Sequence, residues 1–302
     1  MSQILLVLNP IAGRGAGERL RPKIVAELAA CGLDVDLAIT EAPGHATTLA
    51  SEAAARGRRT VVAAGGDGTA NEVLNGLMQA AGDLDGTAMG ILPIGTGNDL
   101  AYGAGLPLDL RAACRVLARG EGRLIDVGRV WADNEKPLYF ANGVGLGFDA
   151  MVNVESRKLQ RLRGFLLYLV AVFRTMAFYY DAPRIRICVD GQERTQASLM
   201  ISVMNGRRFG GGFQVTPGSS MDDGLFDLCI AGELSRPEML AFVPRFLRGS
   251  HVTDRRITMT QGQRVTVSSE SPWAGHVDGE IYGLGGREFE MELLPGQLRL
   301  LC

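Results

Sequence analysis

Two glycine loops, each directly after a short apolar run, constrain the fold of this chain more than any other feature. The first, at residues 65–69, reads Gly-Gly-Asp-Gly-Thr, and the second, at residues 95–99, reads Gly-Thr-Gly-Asn-Asp. Each apolar run predicts a buried strand and each loop is expected to lead into a helix, as in neighbouring βα units of one sheet. Glycine lets backbone N–H groups approach a bulky anion, and a helix N-terminus attracts negative charge. The aspartate in each loop indicates a metal ion or a proton to be moved beside that anion, which favours phosphoryl transfer.

The first part of the chain alternates strands with helices. Apolar runs predict strands at residues 4–8, 33–39, 60–64 and 89–94. Helical spacing predicts helices at residues 18–30 and 45–55, and Asp109 is a fitting N-cap for a third helix that runs through Leu117. Short, continuous apolar strands are typical of a parallel sheet covered on both faces, so this part predicts an α/β layer fold.

From Leu124 onward the pattern changes to many short strands. They are expected at residues 124–130, 139–143, 184–189, 199–204, 225–230, 257–259, 265–268 and 289–293. Two long helices interrupt them, at residues 154–178 and 237–247, and Asp190-Gly191 predicts a tight hairpin. This part predicts an antiparallel β-sandwich. The predicted domains are residues 1–124 and 125–295, and whether residues 296–302 return to the first domain is left open.

Composition argues against several classes of protein. The 302 residues carry a net charge of −2, so nothing global predicts a nucleic-acid partner. The five cysteines are scattered and form no Cys-x-x-Cys pair, which favours a reducing compartment. The N-terminus lacks a signal-peptide pattern, and the best candidate for a membrane helix, residues 164–173, is too short to cross a bilayer. We expect a cytoplasmic protein.

A basic segment precedes that apolar run. It contains Arg157, Lys158, Arg161 and Arg163. A basic segment that leads into an apolar helix can lie on an anionic membrane surface, and it is also typical of a core helix with a solvated basic end. Both interpretations stay open.

The familiar nucleotide-binding fingerprints do not fit this chain. After Asn9-Pro10, Gly13 and Gly15 begin a dinucleotide pattern, but its last position falls on Glu18, where a small residue is needed. The absence of any Gly-Lys pair excludes a P-loop, and the absence of Gly-x-Ser-x-Gly removes support for a hydrolase. The turn at residues 9–17 is open to two interpretations, a nucleotide contact or a flexible turn.

Acidic side chains cluster at two later turns. Residues 221–227 carry Asp222, Asp223 and Asp227, which fit a Mg²⁺ or Ca²⁺ site as well as an ordinary Asp-Gly turn. Residues 276–280 read His-Val-Asp-Gly-Glu, which fits a general base in a partly buried site as well as a hairpin turn. In the first glycine loop, Asp67 could also serve as a helix cap.

Taken together, these motifs resemble the diacylglycerol kinase catalytic family, most closely the YegS-like lipid kinases. The markers are Asn9-Pro10 with its glycine turn and the segments at residues 40–46, 65–72, 92–101, 223–225 and 278–280. The first glycine loop, taken by itself, is also found in NAD kinases and, loosely, in phosphofructokinases. The second glycine loop and the late Asp-Gly-Glu favour a lipid kinase.

The resemblance implies a Rossmann-like, three-layer α/β domain similar to NAD kinase and phosphofructokinase, followed by a β-sandwich domain. It implies ATP contacts from Asn9, Thr40, Gly65, Gly66, Asp67, Gly68, Thr69, Ala70, Asn71 and Thr96. Glu280 is implied as the proton acceptor with Asp278 beside it, and Asp67 as a third catalytic residue. A structural Mg²⁺ is implied on the carboxylate of Asp223 and the carbonyls of Ser220 and Leu225.

The motifs and the resemblance lead to one function and two alternatives. The first is an ATP-dependent kinase that phosphorylates the hydroxyl of a lipid such as diacylglycerol or phosphatidylglycerol, in peripheral contact with the inner face of the membrane. The alternatives are an NAD kinase-like enzyme and a nucleotide- or lipid-binding regulator without turnover. The candidates for contacting the lipid are Phe148, Phe165, Leu166, Leu167 and Tyr168. Assembly as a homodimer is left open.

Overall fold

The computed structural model describes residues 3–80, 87–133, 135–159, 162 and 164–302. The chain forms two compact units, one of Met1–Asp126 with Gly296–Cys302 and the other of Val127–Pro295. We refer to them as unit 1 and unit 2. The fold class predicted from the sequence, an α/β domain followed by a β-sandwich, is confirmed.

Unit 1 alternates strands and helices. In chain order these are β1 (Ile4–Leu8), α1 (Ala12–Ala30), β2 (Val35–Ile39), α2 (His45–Ala55), β3 (Thr60–Gly65), α3 (Asp67–Gln79), β4 (Ala88–Pro93), α4 (Asp99–Gly103) and α5 (Leu110–Arg119). The backbone is left-handed at Gly13, Arg14 and Gly15, so regular helical geometry in α1 begins after Gly15. The side chain of Asp109 accepts a hydrogen bond from the N–H of Ala112, as expected for the N-cap of α5.

The strands of unit 1 form a parallel sheet in the order β2-β1-β3-β4. Alternate residues of the central strands face opposite sides, and both sides are buried. Leu6 and Val62 pack in one cluster with Ile24 of α1 and Leu117 of α5. Helix α2 contacts β1 and β3, and helix α3 contacts β3 and β4. Beyond β4, Leu300 pairs in parallel with Met89.

Unit 2 is built mainly from strands, and one strand, β5 (Gly122–Ala132), enters it from unit 1. The others are β6 (Leu138–Phe140), β7 (Gly143–Gly147), α6 (Phe148–Lys158), α7 (Gly164–Phe178), β8 (Arg184–Val189), β9 (Gln192–Met204), β10 (Arg208–Phe209), β11 (Phe213–Gln214), β12 (Phe226–Gly232), α8 (Arg236–Arg248), a 3₁₀ turn (Ser250–Thr253), β13 (Ile257–Gly262), β14 (Arg264–Val277) and β15 (Glu280–Leu301).

Two long strands let the antiparallel sheet of unit 2 fold over itself. One half of β9 pairs with β8 and the other half with β7. In the same way, the first part of β14 pairs with β8 and its last part with β7. Strand β14 also pairs with β15. The buried residues between these strands, such as Phe140, Ile187 and Val267, form one apolar core. Asp190 and Gly191 both have positive φ and close the β8–β9 hairpin, as their sequence predicts.

The single helix predicted at residues 154–178 is wrong. The structure has two helices there, α6 and α7, and α6 begins six residues earlier than predicted, directly after Gly147. Leu159 leaves helical geometry, with φ −94° and ψ 61°, and ends α6. The sequence pattern showed neither the start nor the end of α6. The end was missed because no proline marks the break before α7. Arg161 and Arg163, which belong to the basic segment, lie outside the described residues.

Within the part of the chain that the structure describes, no helix has the length and apolarity needed to cross a membrane.

Candidate active site

Three loops of unit 1 meet at the carboxyl ends of its parallel strands. The loop after β3 touches the loop after β4, because a Cβ on Gly95 would lie only 2.4 Å from the Cα of Gly66. The loop after β1 joins them, since a Cβ on Gly13 would lie 2.4 Å from the carbonyl oxygen of Ile94. Only glycine lets backbones approach this closely. The two glycine loops that dominate the sequence therefore form one continuous backbone surface.

Side-chain hydrogen bonds link the same loops to one another. The Asn9 Nδ2 donates to Thr69 Oγ1 over 3.0 Å, and Asn9 Oδ1 accepts from the N–H of Ile11 over 3.1 Å. Thr69 lies so close to the backbone of Gly65 that a Cβ there would be 2.3 Å from its Oγ1. Asn9 thus links the loop after β1 to the start of α3. This places two of the predicted ATP-contacting residues, Asn9 and Thr69, in direct contact.

Asp67 joins the first glycine loop to the helix that follows the second. Its Oδ1 accepts a hydrogen bond from the backbone N–H of Leu100 over 3.1 Å, at the start of α4. Burial raises the pKa of Asp67, and the N–H groups of Leu100, Asp99 and Asn98 oppose that rise. Gly97 is required beside it, because a Cβ there would lie 2.8 Å from Asp67 Oδ2. The carboxylate therefore contacts the second loop rather than capping its own helix, α3.

The remaining predicted ATP contacts have different surroundings. Thr40 is buried at the end of β2, where its N–H donates to the carbonyl of Leu8 over 2.9 Å. Thr96 is exposed in the second glycine loop. Asn71 is buried, and its Oδ1 accepts from Nδ2 of Asn75 in the same helix. Gly68 is partly exposed, whereas Ala70 is buried. The loops and Asn9 are thus assembled at one edge, while the side chain of Asn71 contacts its own helix.

In unit 2, the other two predicted catalytic residues, Asp278 and Glu280, lie in and directly after a two-residue turn. Asp278 and Gly279 have φ of 48° and 86°, and Val277 pairs with Glu280 across the turn. We call residues 276–280 the acidic hairpin. The buried carboxylate of Asp278 accepts hydrogen bonds from three successive backbone N–H groups, those of Ala141 (3.1 Å), Asn142 (3.0 Å) and Gly143 (2.8 Å). Asp278 therefore anchors the hairpin.

Glu280 is the accessible carboxylate of the acidic hairpin. Its side chain is 53% exposed, and its Oε2 lies 2.7 Å from Nη2 of Arg157 in α6. The same guanidinium group donates to the carbonyl of Gly279 over 3.3 Å. Glu280 is thus held in place by Arg157 while about half of its side chain stays exposed.

Two further residues contact the acidic hairpin: Asp149 was not singled out from the sequence, and Arg157 was noted only as part of the basic segment. His276 Nδ1 accepts from the N–H of Gly279 over 3.3 Å, which assigns the ring proton to Nε2, 3.4 Å from Asp149 Oδ2. Ser202 Oγ donates to the same aspartate oxygen over 3.2 Å. Asp149 and Arg157 lie on one face of α6, but no sequence motif marks that face as part of a site.

The turn before β12 carries the residues that the resemblance implies as Mg²⁺ ligands. Among the described residues, no three His, Cys, Asp or Glu side chains are grouped to hold a metal. Asp223 Oδ1 accepts from the N–H of Leu225 over 3.1 Å, which brings two of the three predicted ligand residues together. Burial raises the pKa of Asp227, hydrogen bonds from Ser219 and Gln261 oppose that rise, and the charge of Asp223 adds to it. An oxygen-rich turn beside such a carboxylate fits a hard divalent ion.

Comparisons with known proteins agree with this architecture. Residues 3–130 match the diacylglycerol kinase catalytic domain, and residues 142–302 match the YegS C-terminal NAD kinase beta sandwich-like domain. The "Diacylglycerol kinase" of Bacillus subtilis (strain 168) is 32% identical over 96% of this chain and 93% of its own. The "Probable lipid kinase YegS-like" of Klebsiella pneumoniae (strain 342) is 33% identical over 98% of this chain and 94% of its own.

A solved structure is similar over the whole chain. It is a crystal structure from Bacillus anthracis str. Sterne, of a protein named as a candidate diacylglycerol kinase, with a TM-score of 0.79. The two chains are 26% identical, and the match covers 99% of this chain and 96% of the other. The similarity therefore includes both units.

The clustered glycine loops of unit 1, at the carboxyl ends of a parallel sheet, are typical of a phosphate-binding site, and the class of protein that they favour is a phosphotransferase. The matching family models and relatives then identify the particular class. The chain belongs to the diacylglycerol kinase family, in its YegS-like branch, and it is a lipid kinase. Membership of this family implies ATP as the co-substrate. The family resemblance predicted from the motifs is confirmed, and the NAD kinase and non-catalytic alternatives are not favoured.

Proposed function

We propose that this enzyme transfers the γ-phosphate of ATP to the hydroxyl of a diacylglycerol-type lipid. The observation that carries this proposal is the contact between the two glycine loops, which places backbone N–H groups, two helix N-termini and Asp67 at one edge of the sheet. The substrate class is taken from relatives named diacylglycerol kinase.

The proposed reaction assigns one role to the glycine loops and another to the acidic hairpin. Backbone N–H groups of residues 66–69 and the N-terminus of α3 bind the phosphates of ATP, because they present partial positive charge to an anion. The lipid hydroxyl oxygen attacks the γ-phosphorus, the bond to the β,γ-bridging oxygen breaks, and ADP leaves. Glu280 accepts the hydroxyl proton. Asp278 holds the hairpin that carries Glu280 through its three backbone hydrogen bonds.

We propose two roles for Mg²⁺. One ion accompanies ATP near Asp67 and neutralises phosphate charge. A second, structural ion is held by the Asp223 carboxylate and the carbonyls of Ser220 and Leu225. The short Asp223–Leu225 turn and the nearby carboxylate of Asp227 support that second site.

We also propose peripheral contact with the inner face of the membrane, where a lipid substrate resides. The exposed apolar side chains of α7 and the residues after it support this contact, with Leu166 54% and Phe178 71% exposed. The guanidinium of Arg174 lies 5.9 Å from the ring centre of Phe178, so a cation accompanies the apolar surface. Self-association as a homodimer stays a prediction.

A lipid panel tests the function directly. Purified enzyme is incubated with Mg²⁺, radiolabelled ATP and mixed micelles that contain diacylglycerol, phosphatidylglycerol, ceramide or a sphingoid base, with NAD as a soluble acceptor. We expect label in phosphatidic acid, identified by mass spectrometry, and its loss in Glu280→Gln. Label in NADP alone, or in no product, would refute the proposal. Arg186→Met, an exposed change elsewhere in unit 2, serves as the control and is expected to keep full activity.

A further inference from the structure

One face of α6 lies against the acidic hairpin. Asp149, Asn153 and Arg157 are spaced four residues apart, so they project from the same face of the helix. Each of them reaches residues 276–280, directly or through one side chain. Their partners are different atoms of the hairpin, so the three contacts do not duplicate one another.

The contacts fix the backbone of Gly279 on both sides. Asn153 Nδ2 donates to the Gly279 carbonyl over 2.6 Å, and the Gly279 N–H donates to Nδ1 of His276. His276 is in turn oriented by Asp149. A Cβ on Gly145 would lie 2.3 Å from His276 Nε2 and 2.4 Å from Asp149 Oδ2, so the sequence leaves space for this pair. The left-handed turn is therefore clamped by hydrogen bonds at its N–H and its carbonyl.

Arg157 extends the clamp from the backbone to the side chain of Glu280. Its guanidinium contacts both the Gly279 carbonyl and Glu280 Oε2. A planar group that donates to two acceptors at once restricts the rotamer of the carboxylate more than a single point charge does. Arg157 is itself oriented through its Nε, which lies 3.4 Å from Asn153 Oδ1.

We propose that Asn153 and Arg157 are positioning residues that aim the carboxylate of Glu280 at the lipid hydroxyl. This inference rests on the proposed function, in which Glu280 is the proton acceptor. A shift of about 1 Å in a reacting group can cost about 10²-fold in rate, so loss of the clamp lowers turnover even though neither residue touches substrate. Binding of ATP and lipid does not depend on the clamp, so their KM values stay near those of the unchanged enzyme.

The test separates positioning from a purely structural role through a double-mutant cycle in kcat. Arg157→Met, Arg157→Lys, Glu280→Gln and the double variant Arg157→Met/Glu280→Gln are compared with the unchanged enzyme. General-base catalysis contributes about 10²- to 10⁴-fold, so a long radiolabel incubation still measures the Glu280→Gln remainder. Thermal unfolding of each variant reports on the fold, and Arg186→Met controls for the loss of a surface cation in unit 2.

We expect Arg157→Met to lower kcat about 10-fold or more with both KM values within about twofold, and Arg157→Lys to recover part of the loss. In the Glu280→Gln background the same change is expected to alter kcat by less than about twofold, because its target is gone. An unchanged kcat in Arg157→Met, or an equal loss in both backgrounds, would overturn the inference. Full activity of Glu280→Gln would instead overturn the proposed function, and this inference with it.

Discussion

The backbone N–H of Leu100 donates a hydrogen bond to Oδ1 of Asp67, although 33 residues separate the two. This bond ties the loop after β3 to the start of α4, beyond the second glycine loop. Burial raises the pKa of Asp67, and nearby backbone N–H groups oppose that rise. In the proposed reaction this side chain has two separable roles, to anchor the loops and to supply charge beside the phosphates.

Substitutions of Asp67 are expected to separate those roles. Asp67→Asn keeps an oxygen that can accept from Leu100 and loses the charge, whereas Asp67→Ala loses both. We expect both variants to lose kinase activity by on the order of 10²-fold or more. Only Asp67→Ala is expected to lose about 1 kcal/mol of unfolding free energy, as for the removal of a helix cap. Kinase assays and urea unfolding measure the two effects.

Asp109→Ala is the matched control for that experiment. It removes another cap in unit 1, the bond from the N–H of Ala112, and is expected to cost similar stability with no loss of activity. If Asp67→Asn retained full turnover, the charge of Asp67 would have no part in the reaction.

A methyl group at Gly95 is expected to weaken ATP binding. Its Cβ would lie 2.4 Å from the Cα of Gly66, so the two glycine loops have to move apart by several tenths of an ångström or more. We expect the Kd for ATP in Gly95→Ala to rise at least about 10-fold, since the phosphate-binding N–H groups are displaced. Isothermal titration calorimetry measures the change. Gly218→Ala, whose Cβ meets no atom within 4 Å, is expected to bind ATP normally; equal affinity of the two variants would contradict the prediction.

Much of the fold was predictable because its signals are local. The continuous apolar runs of β1 and β3 and the Asp190-Gly191 turn each specify their own conformation. The break between α6 and α7 was not predictable, since no proline marks it in the sequence. The length of β14 was also missed: only residues 265–268 look strand-like, whereas the rest of the strand pairs with β7 and β15 through residues such as Trp273 and Gly275.

The candidate site was predictable to a lesser extent. Glycine loops indicate where a backbone has to approach another group, so the two loops of unit 1 can be recognised from the sequence, whereas the individual ATP contacts were implied by the family resemblance. The partners of Glu280 cannot, because Arg157 lies 123 residues earlier in the chain and carries no motif. The role of Asp278 likewise depends on three N–H groups of residues 141–143, a contact that only the folded strands bring about.

A methyl group at Gly145 is expected to lower both stability and turnover. It would overlap His276 Nε2 and Asp149 Oδ2, the pair that supports the N–H of Gly279. We expect Gly145→Ala to cost about 1–3 kcal/mol of unfolding free energy, as for other overpacked sites, and to reduce kcat. Gly285→Ala, in β15, adds a Cβ that meets no atom within 4 Å and is expected to change neither quantity appreciably. Similar behaviour of the two variants would show that the His276–Asp149 pair does not support the hairpin.

The pH dependence of stability is expected to include a contribution from Glu155. This carboxylate is 1% exposed and pairs with Lys158 in its own helix and with Arg174 of α7, at 2.9 Å from Nε. The hydrogen bond from Lys158, followed by that from Arg174, lowers the pKa of Glu155 in the folded protein. A lowered pKa means that the stabilisation is present above the unfolded value near 4.5 and is lost as the pH falls through the folded value.

Glu155→Gln is therefore expected to cost about 1–3 kcal/mol of unfolding free energy at pH 7, and progressively less as the pH falls below about 4.5. The matched control is Glu52→Gln, which removes an exposed partner of Arg56 at 2.8 Å, also within one helix. That exposed pair is expected to contribute less than about 0.5 kcal/mol at any pH. Urea unfolding of the three proteins at pH 7 and pH 4 measures both differences. A Glu155→Gln penalty that equals the control, or that grows as the pH falls, would show that burial between its two cations does not stabilise the Glu155 carboxylate.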